Sequence, residues 1–478
     1  MQQGGATDRT PLVVDVDGTL IRSDLLFEAA LQLVATQPWN AWKLVSWLAG
    51  GKASLKKNLV ETTDPHIATM PLRTETVAAI EAAKAGGRPV WLASASDQRW
   101  VEQIAERIGG VDGVMGSDGV TNLSGSNKAT ALVKRFGHKG FDYIGDHHVD
   151  MPVWDAARRP IVIAQSGGLE RAVKRRFPDA QIIARPKTPI RPYFKAMRPY
   201  QWAKNALVFL PAIAGHSIGD FGVLVGAFLA FWAFSLAASS AYIINDLLDL
   251  PGDRDHHRKS KRPFAAAQIS IPRGILMAVG LMAAAIGIAL LLPLEFFTIL
   301  LGYVTLTLGY SLYLKRQMLV DVIILGGLYT IRVLGGIAAT GEEKSQWLLM
   351  FCLFFFLSLA IVKRCSELVA RREAGKSSPP GRGYALGDLA MLLPLGAAAG
   401  YAAVMVVMLY LSSPQITSLY AHPLRMWLIC PLLVYWISRA LMLSNRGEMH
   451  DDPIIFALTD KVSWLTGVVA AIIIAISI

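Results

Sequence analysis

Charge is what this chain has least of. Only 17% of its 478 residues are charged, against about a quarter in an ordinary soluble domain. Hydrophobic residues make up 53%, and mean hydropathy is +0.40. This balance excludes a wholly soluble enzyme and a disordered chain alike. Cysteine is scarce too. Cys352, Cys365 and Cys430 lie in or beside apolar segments without CxxC spacing, which excludes a disulfide scaffold and a zinc knuckle. The start, Met1 to Thr10, is polar and the next apolar run has only four residues, so no signal peptide is expected there.

Long apolar runs are missing from one part of the chain only. Residues 1–190 hold 23 Lys+Arg and 20 Asp+Glu, and alternate short apolar runs with polar stretches. Residues 191–478 hold 24 and 16 and contain apolar runs near the ~20 residues that a helix needs to cross a bilayer core. The expected organisation is a soluble domain over 1–185, a linker over 186–200 and an integral membrane domain over 201–478. Arg185 to Pro199 has four prolines and five basic residues, which suits a linker lying near anionic headgroups.

Nine spans are expected, at about 203–217, 221–244, 274–292, 295–314, 319–340, 346–363, 388–411, 424–443 and 462–478. Alternate loops are basic. They carry Arg254, Arg258, Lys259, Lys261 and Arg262, then Lys315 and Arg316, then Arg364, Arg371, Arg372, Lys376 and Arg382, then Arg446 and Lys461. The opposite loops hold almost no Lys or Arg. The positive-inside rule therefore puts the soluble domain and the basic loops in the cytoplasm. The formal charge of +11 resides mostly in these loops, which argues against nucleic-acid binding.

In the N-terminal domain, apolar strands alternate with amphipathic helices, the pattern of a parallel α/β sheet. Ligands of such sheets sit at the strand carboxyl ends, where Asp15, Asp17, Ser94 and Asp146 fall. These residues suit phosphoryl transfer. Asp15 is the candidate nucleophile, and Asp17, two residues on, the candidate acid for the leaving oxygen. Ser94 offers a hydroxyl to phosphoryl oxygens and Lys128 a positive charge. Asp15, Asp17, Asp146 and Asp150 are candidate ligands for magnesium. The set resembles the haloacid-dehalogenase-like (HAD) hydrolases. Asp15-Val-Asp-Gly-Thr19 matches their first motif, Ser94 (in competition with Ser96) the second, Lys128 the third, and Gly145-Asp-His-His-Val-Asp150 the fourth. The resemblance implies a Rossmann-like sheet with a small helical cap at 24–70, and an active phosphohydrolase or, failing that, a scaffold.

In the membrane domain, span two ends in Asn245-Asp-Leu-Leu-Asp249-Leu-Pro-Gly-Asp253. Spacing by four stacks Asn245, Asp249 and Asp253 on one helical face. Three oxygen ligands so placed would repel one another unless they hold magnesium and a diphosphate. Lys261 and Arg262 follow, ready for phosphate oxygens. This region resembles the UbiA-type intramembrane prenyltransferases, which implies an all-helical fold, magnesium and a diphosphate substrate. The resemblance also rests on Arg198-Pro-Tyr-Gln-Trp-Ala-Lys204-Asn205 and Lys261-Arg-Pro263.

Aromatic prenyltransferases of that family have a second Asp-rich motif after span six. Here the segment reads Val362-Lys363-Arg364-Cys-Ser-Glu367-Leu-Val-Ala-Arg371-Arg372-Glu373. The chain looks instead like the decaprenyl-phosphate phosphoribosyltransferase branch, through Tyr310 to Asp321, Arg332, Lys363-Arg364 with Glu367, and His450-Asp451-Asp452-Pro453. The resemblance then implies phosphoribosyl pyrophosphate as donor and a polyprenyl phosphate as acceptor, in a bacterial inner membrane. Lys261, Arg262, Lys315 and Arg364 are the candidate clamp on pyrophosphate or 5-phosphate, with Lys363 beside them. Lys204, Asn205 and Arg332 are candidates near the lipid head, and Asp321 and Glu367 either bind ribose or orient the cations. Lys315 as a positive-inside anchor and Arg332 as a structural partner stay open.

Together the modules suggest a bifunctional enzyme in which the HAD domain removes the 5-phosphate of the transfer product. The alternative is aromatic prenylation from a prenyl diphosphate, with an unrelated role for the HAD domain. Against a passive lipid anchor stands the Asn245–Asp253 motif. Against a transporter stands the gathering of polar residues at one end of the spans. A homo-oligomer stays open.

Overall fold

The computed structural model describes residues 8–118, 121–164, 166–184, 189–375, 377, 382–414, 420–449 and 452–477. Lys376, His450, Asp451 and the linker residues Arg185 to Thr188, among those read above, lie outside them. Two compact units emerge. One combines Met1–Met197 with Ile243–Met277, and the other combines Arg198–Tyr242 with Ala278–Ile478. The division falls inside the expected linker, and the stretch that follows span two joins the N-terminal unit.

The first unit is built on six parallel strands: β1 Leu12–Val14, β2 Val90–Asp97, β3 Gly113–Ser117, β4 Asp142–Gly145, β5 Arg159–Ala164 and β6 Gln181–Ala184. Their spatial order is β3-β2-β1-β4-β5-β6. β1 is central, with Leu12 opposite both Val90 and Asp142. It is wholly buried, as a strand covered on both faces must be. The order reverses beside β1, so β1 and β4 open a crevice at their carboxyl ends.

Helices α1 Leu25–Thr36, α2 Trp42–Ala49 and α3 Lys52–Thr62 form the cap between β1 and β2. Asp24 caps α1 through the amides of Leu26 and Phe27. Then come α4 Thr74–Ala85, α5 Gln98–Ile108, α6 Ser126–Phe136, α7 Met151–Ala156 and α8 Gly167–Arg176. The expected linker contains a further helix, α9 Arg191–Met197, that accepts Pro192 in its first turn.

Among the described residues, seven helices are long and apolar enough to cross a membrane, or eight if one pair bent by 79° counts as a span. They are α11 Phe221–Leu248, α13 Ile271–Ala289, α14 Leu294–Leu312, α15 Val320–Thr340, α16 Gln346–Glu373, and the stretches Leu386–Leu411 and Pro423–Asn445, which contain α17 Leu389–Leu411 and α18 Ile429–Asn445. The bent pair is α19 Pro453–Thr459 with α20 Lys461–Ala475. The expected first span is the exception. Pro199–Phe209 winds as a 3₁₀ helix and passes into α10 Leu210–Ala214, which is shorter than a span requires. Prolines at 199 and 211 remove the amides a continuous helix would use.

In the second unit small residues set the helix spacing. A Cβ on Gly336 would lie 2.3 Å from the Val208 carbonyl, and one on Gly226 2.5 Å from that of Ala339. α16 also runs ten residues beyond the expected span end at 363, so Lys363, Arg364 and Glu367 are helical and not in a loop.

Candidate active sites

The β1 and β4 carboxyl ends assemble the first site. Oxygens of Asp15, Asp146 and Asp150 lie within 4.8 Å of one another, all buried. Lys128, from α6, bonds Asp15 at 2.7 Å and the Tyr143 hydroxyl at 3.0 Å, and lies 3.8 Å from Asp150. Tyr143 donates on to Asp150 at 2.9 Å. The backbone amides of Asp146 and His147 also donate to Asp150, so the turn after β4 fixes this carboxylate.

One lysine does not balance three buried acids. Burial pushes the Asp15 carboxyl up to about 7 against the pull of Lys128. Burial, then Asp15 and Asp150, hold Asp146 well above the usual carboxylate range. Burial also opposes the charge on Lys128, yet Asp15 and Asp150 raise it overall. Buried hard oxygen donors held this close together fit a divalent cation such as magnesium.

Asp17 stands apart from this trio. Ser94 donates to its Oδ2 at 2.9 Å and Ser96 at 2.7 Å, while the Leu25 amide donates to Oδ1 at 2.9 Å. Three donors thus converge on one carboxylate. Both serines therefore serve Asp17; the competition between Ser94 and Ser96 is a sharing. Asp17 was expected among the metal ligands as well, and its side chain is occupied elsewhere. Reading along the chain missed Tyr143 and Thr19. Thr19 donates to Asp146 at 3.1 Å. Thr19 was visible as part of the first motif, whereas nothing local singles out Tyr143.

Within the same unit lies the acidic motif. α11 ends at Leu248 and α12 Leu250–Asp255 follows. The backbone stays hydrogen-bonded through the joint, Asp249 amide to Asn245 carbonyl and Asp253 amide to Asp249 carbonyl, each 2.9 Å. The spacing by four thus survives as one helical face. Asn245 donates to Asp249 at 3.0 Å. Arg262 reaches back to Asp253 at 2.6 Å and to Asp246 at 3.1 Å. Asp246 was overlooked because it breaks the period; its buried carboxylate orients Arg262. Lys261 ends a 3₁₀ turn, Lys259–Lys261. The oxygens of Asn245, Asp249 and Asp253 are again hard donors suited to magnesium.

The second unit gathers the other candidates into two clusters. In one, Lys204 and Lys363 each approach Asp452 Oδ2 at 2.7 Å, and the Tyr329 hydroxyl adds a 3.3 Å contact. Beside them Arg332 donates to Asn205 at 2.7 Å and to Tyr303 at 3.0 Å, and Asn205 donates to Ser235 at 3.0 Å. In the other cluster Asp321 accepts from Arg364 at 3.1 Å and from Tyr310 at 2.8 Å, with Arg382 3.5 Å away. Arg364 also pairs with Glu367. This pairing explains how α16 carries a fully buried guanidinium past the expected span end. Lys315 lies in the turn Leu314–Arg316. Asp452, the pivot of the first cluster, carries part of the resemblance in the sequence but was not among its candidate site residues, because an Asp before Pro453 reads equally well as a helix cap.

Comparisons with known proteins match the chain in two stretches. Residues 206–476 match the UbiA prenyltransferase family model, and residues 48–155 the haloacid dehalogenase-like hydrolase model. The uncharacterized protein y4nM of Sinorhizobium fredii is 36% identical over 466 residues, covering 97% of this chain and 90% of its own. Nodulation protein NoeC of Azorhizobium caulinodans is 34% identical over 277 residues, 57% of this chain and 89% of its own. Decaprenyl-phosphate phosphoribosyltransferase of Corynebacterium glutamicum is 32% identical over 185 residues, 38% of this chain and 56% of its own. With a family model spanning more than half of its residues, the chain belongs to the UbiA prenyltransferase family, and it carries a haloacid dehalogenase-like hydrolase domain ahead of that region.

Proposed function

We propose that the chain transfers 5-phosphoribosyl from phosphoribosyl pyrophosphate to a polyprenyl phosphate, and that its hydrolase domain removes the 5-phosphate from the product. The observation that carries this reading is the cationic Lys204–Lys363 pair on Asp452. A second acidic motif there would serve a prenyl diphosphate held by metal. Two lysines on one carboxylate suit an anionic lipid head. The likeness to decaprenyl-phosphate phosphoribosyltransferases points the same way.

In the transfer, a phosphate oxygen of the lipid bonds the ribose anomeric carbon as that carbon's bond to pyrophosphate breaks. Asn245, Asp249 and Asp253 would hold magnesium, which draws charge from the leaving pyrophosphate. Arg262, oriented by Asp246 and Asp253, meets phosphate oxygens with Lys261. Lys204 and Lys363 receive the lipid phosphate beside Asn205 and Arg332, while Asp321 and Glu367 orient Arg364. Lys315, in the turn Leu314–Arg316, is a further contact to phosphate.

The product carries a terminal phosphate monoester. Asp15 attacks its phosphorus, Lys128 steadies nucleophile and phosphoryl oxygens, and Asp17 protonates the leaving sugar oxygen. Water then releases phosphate. Asp15, Asp146 and Asp150 would hold magnesium there. Joining both activities in one chain raises the effective concentration of the second site for the product of the first.

The test uses purified full-length protein with magnesium, polyprenyl phosphate and ribose-labelled phosphoribosyl pyrophosphate, with lipids read by mass spectrometry. Label in the lipid supports the transfer, and a 5-phosphate that persists only in Asp15→Asn supports the coupled step. Absence of labelled lipid, with product formed from prenyl diphosphate and an aromatic acid, would move the chain to the prenylating branch.

A further inference from the structure

The hydrolase cap carries an apolar face that its own domain does not use. In α2, Leu44 and Trp47 pack on the domain core. On the opposite side Trp42 is 65% exposed and Val45 73%; Leu48, on the edge next to Leu44, is 53% exposed, and Trp39, in the 3₁₀ turn before α2, 84%. Steps of three residues put these side chains in one stripe. A helix apolar on both faces calls for cover on both. An exposed patch of this kind, with two indoles in it, marks an interaction surface.

Three features identify the cover. Residues 37–60 contain four lysines and no acidic residue, with Lys57 exposed and Lys43 half-buried, the sign that anionic headgroups attract. Tryptophan beside lysine on a short helix is the composition that settles at a bilayer surface. The cap is also tied to the stretch that follows α11. Arg254 donates to Glu28 of α1 at 2.6 and 3.2 Å, and both side chains are only 5% exposed. Arg254 belongs to α12, in the segment joining α11 to α13, two helices apolar enough to cross a membrane. Glu28 lies in the first turn of α1, which is about 18 Å long at ~1.5 Å per residue. The helix that carries the stripe follows α1 in the chain.

We propose that the cap docks on the bilayer through Trp39, Trp42, Val45 and Leu48, so that the hydrolase site takes phosphate monoesters carried on a lipid. Docking is linked to the chemistry through α1, whose first amide, Leu25, bonds Asp17. The substrate class rests on the hydrolase reading above; the docking stands without it.

The full chain in nanodiscs containing phosphatidylglycerol tests this. Nitroxides are placed at Val45→Cys and Leu48→Cys, with Glu106→Cys, exposed on α5, as the aqueous reference; the three native cysteines are buried. At 45 and 48, collisions with oxygen should exceed those with a water-soluble nickel complex, and at 106 the order should reverse. Aqueous access at 45 equal to that at 106 would overturn the docking. So would spin–spin broadening, which would assign the face to a second copy. A Trp39→Ser/Trp42→Ser/Val45→Ser variant should raise KM for a polyprenyl-phosphoryl 5-phosphoribose at least about tenfold with kcat unchanged, and leave para-nitrophenyl phosphate hydrolysis unaltered. An unchanged lipid KM overturns the substrate assignment. A wild-type chain that hydrolyses neither ester sinks the hydrolase reading, and with it the substrate assignment, while the nitroxide result still decides the docking.

Discussion

Replacing Lys128 with methionine keeps the length of a buried side chain and removes its charge. Lys128 is 3% exposed and is the ammonium bonded to Asp15 within a carboxylate trio no wider than 4.8 Å. Breaking a buried pair on one side costs about 3–5 kcal/mol. For a domain of this size that lowers its unfolding midpoint by about 6–20 °C, at ~2–4 °C per kcal/mol. The loss should be largest with chelator present. Magnesium replaces the missing charge, and at a hundred times its Kd it returns about 2.7 kcal/mol. The assay is thermal unfolding of the full chain in nanodiscs by intrinsic fluorescence, for wild type and Lys128→Met, with and without magnesium. Phosphate-ester hydrolysis is followed in parallel and should fall by about a hundredfold or more. A midpoint within about 2 °C of wild type in chelator, without a magnesium response, would show that the carboxylates do not depend on Lys128 and would refute the reasoning.

Four further outcomes follow from the same geometry. The folded domain holds the protons of Asp15, at about 7, and of Asp146 more tightly than the unfolded chain does. Without metal its stability should therefore fall as pH rises from about 4 through about 7, read by chemical unfolding in chelator. Metal needs the ionised acids, so magnesium should bind more tightly at pH 8 than at pH 6 and release about one proton near pH 7; calorimetry in buffers of different ionisation enthalpy that detects no proton release would contradict this. Asp249→Asn should cut lipid labelling by about a hundredfold or more and spare ester hydrolysis, with Asp15→Asn doing the reverse, as followed by mass spectrometry and phosphate release. Gly145→Ala would set a Cβ 2.8 Å from Asp150 Oδ2, and should weaken magnesium binding by about tenfold through displacement of that ligand, measured by titration calorimetry.

The two kinds of period in this sequence fixed most of the fold in advance. Apolar runs near twenty residues can only be spans, because hydrocarbon leaves the backbone no other partner than itself, and strand–helix alternation dictates a parallel sheet. The first site was legible for the same reason: Asp15, Asp17, Ser94 and Asp146 fall at strand ends, where such sheets open. Span count was less legible. Hydropathy treats 203–217 like any other apolar stretch, while the geometry there is decided by Pro199 and Pro211. The end of α16 was misplaced because Lys363 and Arg364 look like a loop until Asp452, Asp321 and Glu367 arrive to neutralise them.

By itself, then, the sequence determined the division into α/β and helical parts, the four-residue spacing of Asn245, Asp249 and Asp253, and the placing of Asp15, Asp17, Ser94 and Asp146 at strand ends. These depend on local periodicity and on neighbours in the chain. Only the tertiary structure decided which partner each charge received. Asp452 lies 248 residues from Lys204, Tyr143 joins Lys128 to Asp150, and Ser94 and Ser96 converge on Asp17 from 77 and 79 residues away. Pairing across such distances is set by how the elements pack in space, and a buried charge must find its counterpart there, wherever along the chain it lies.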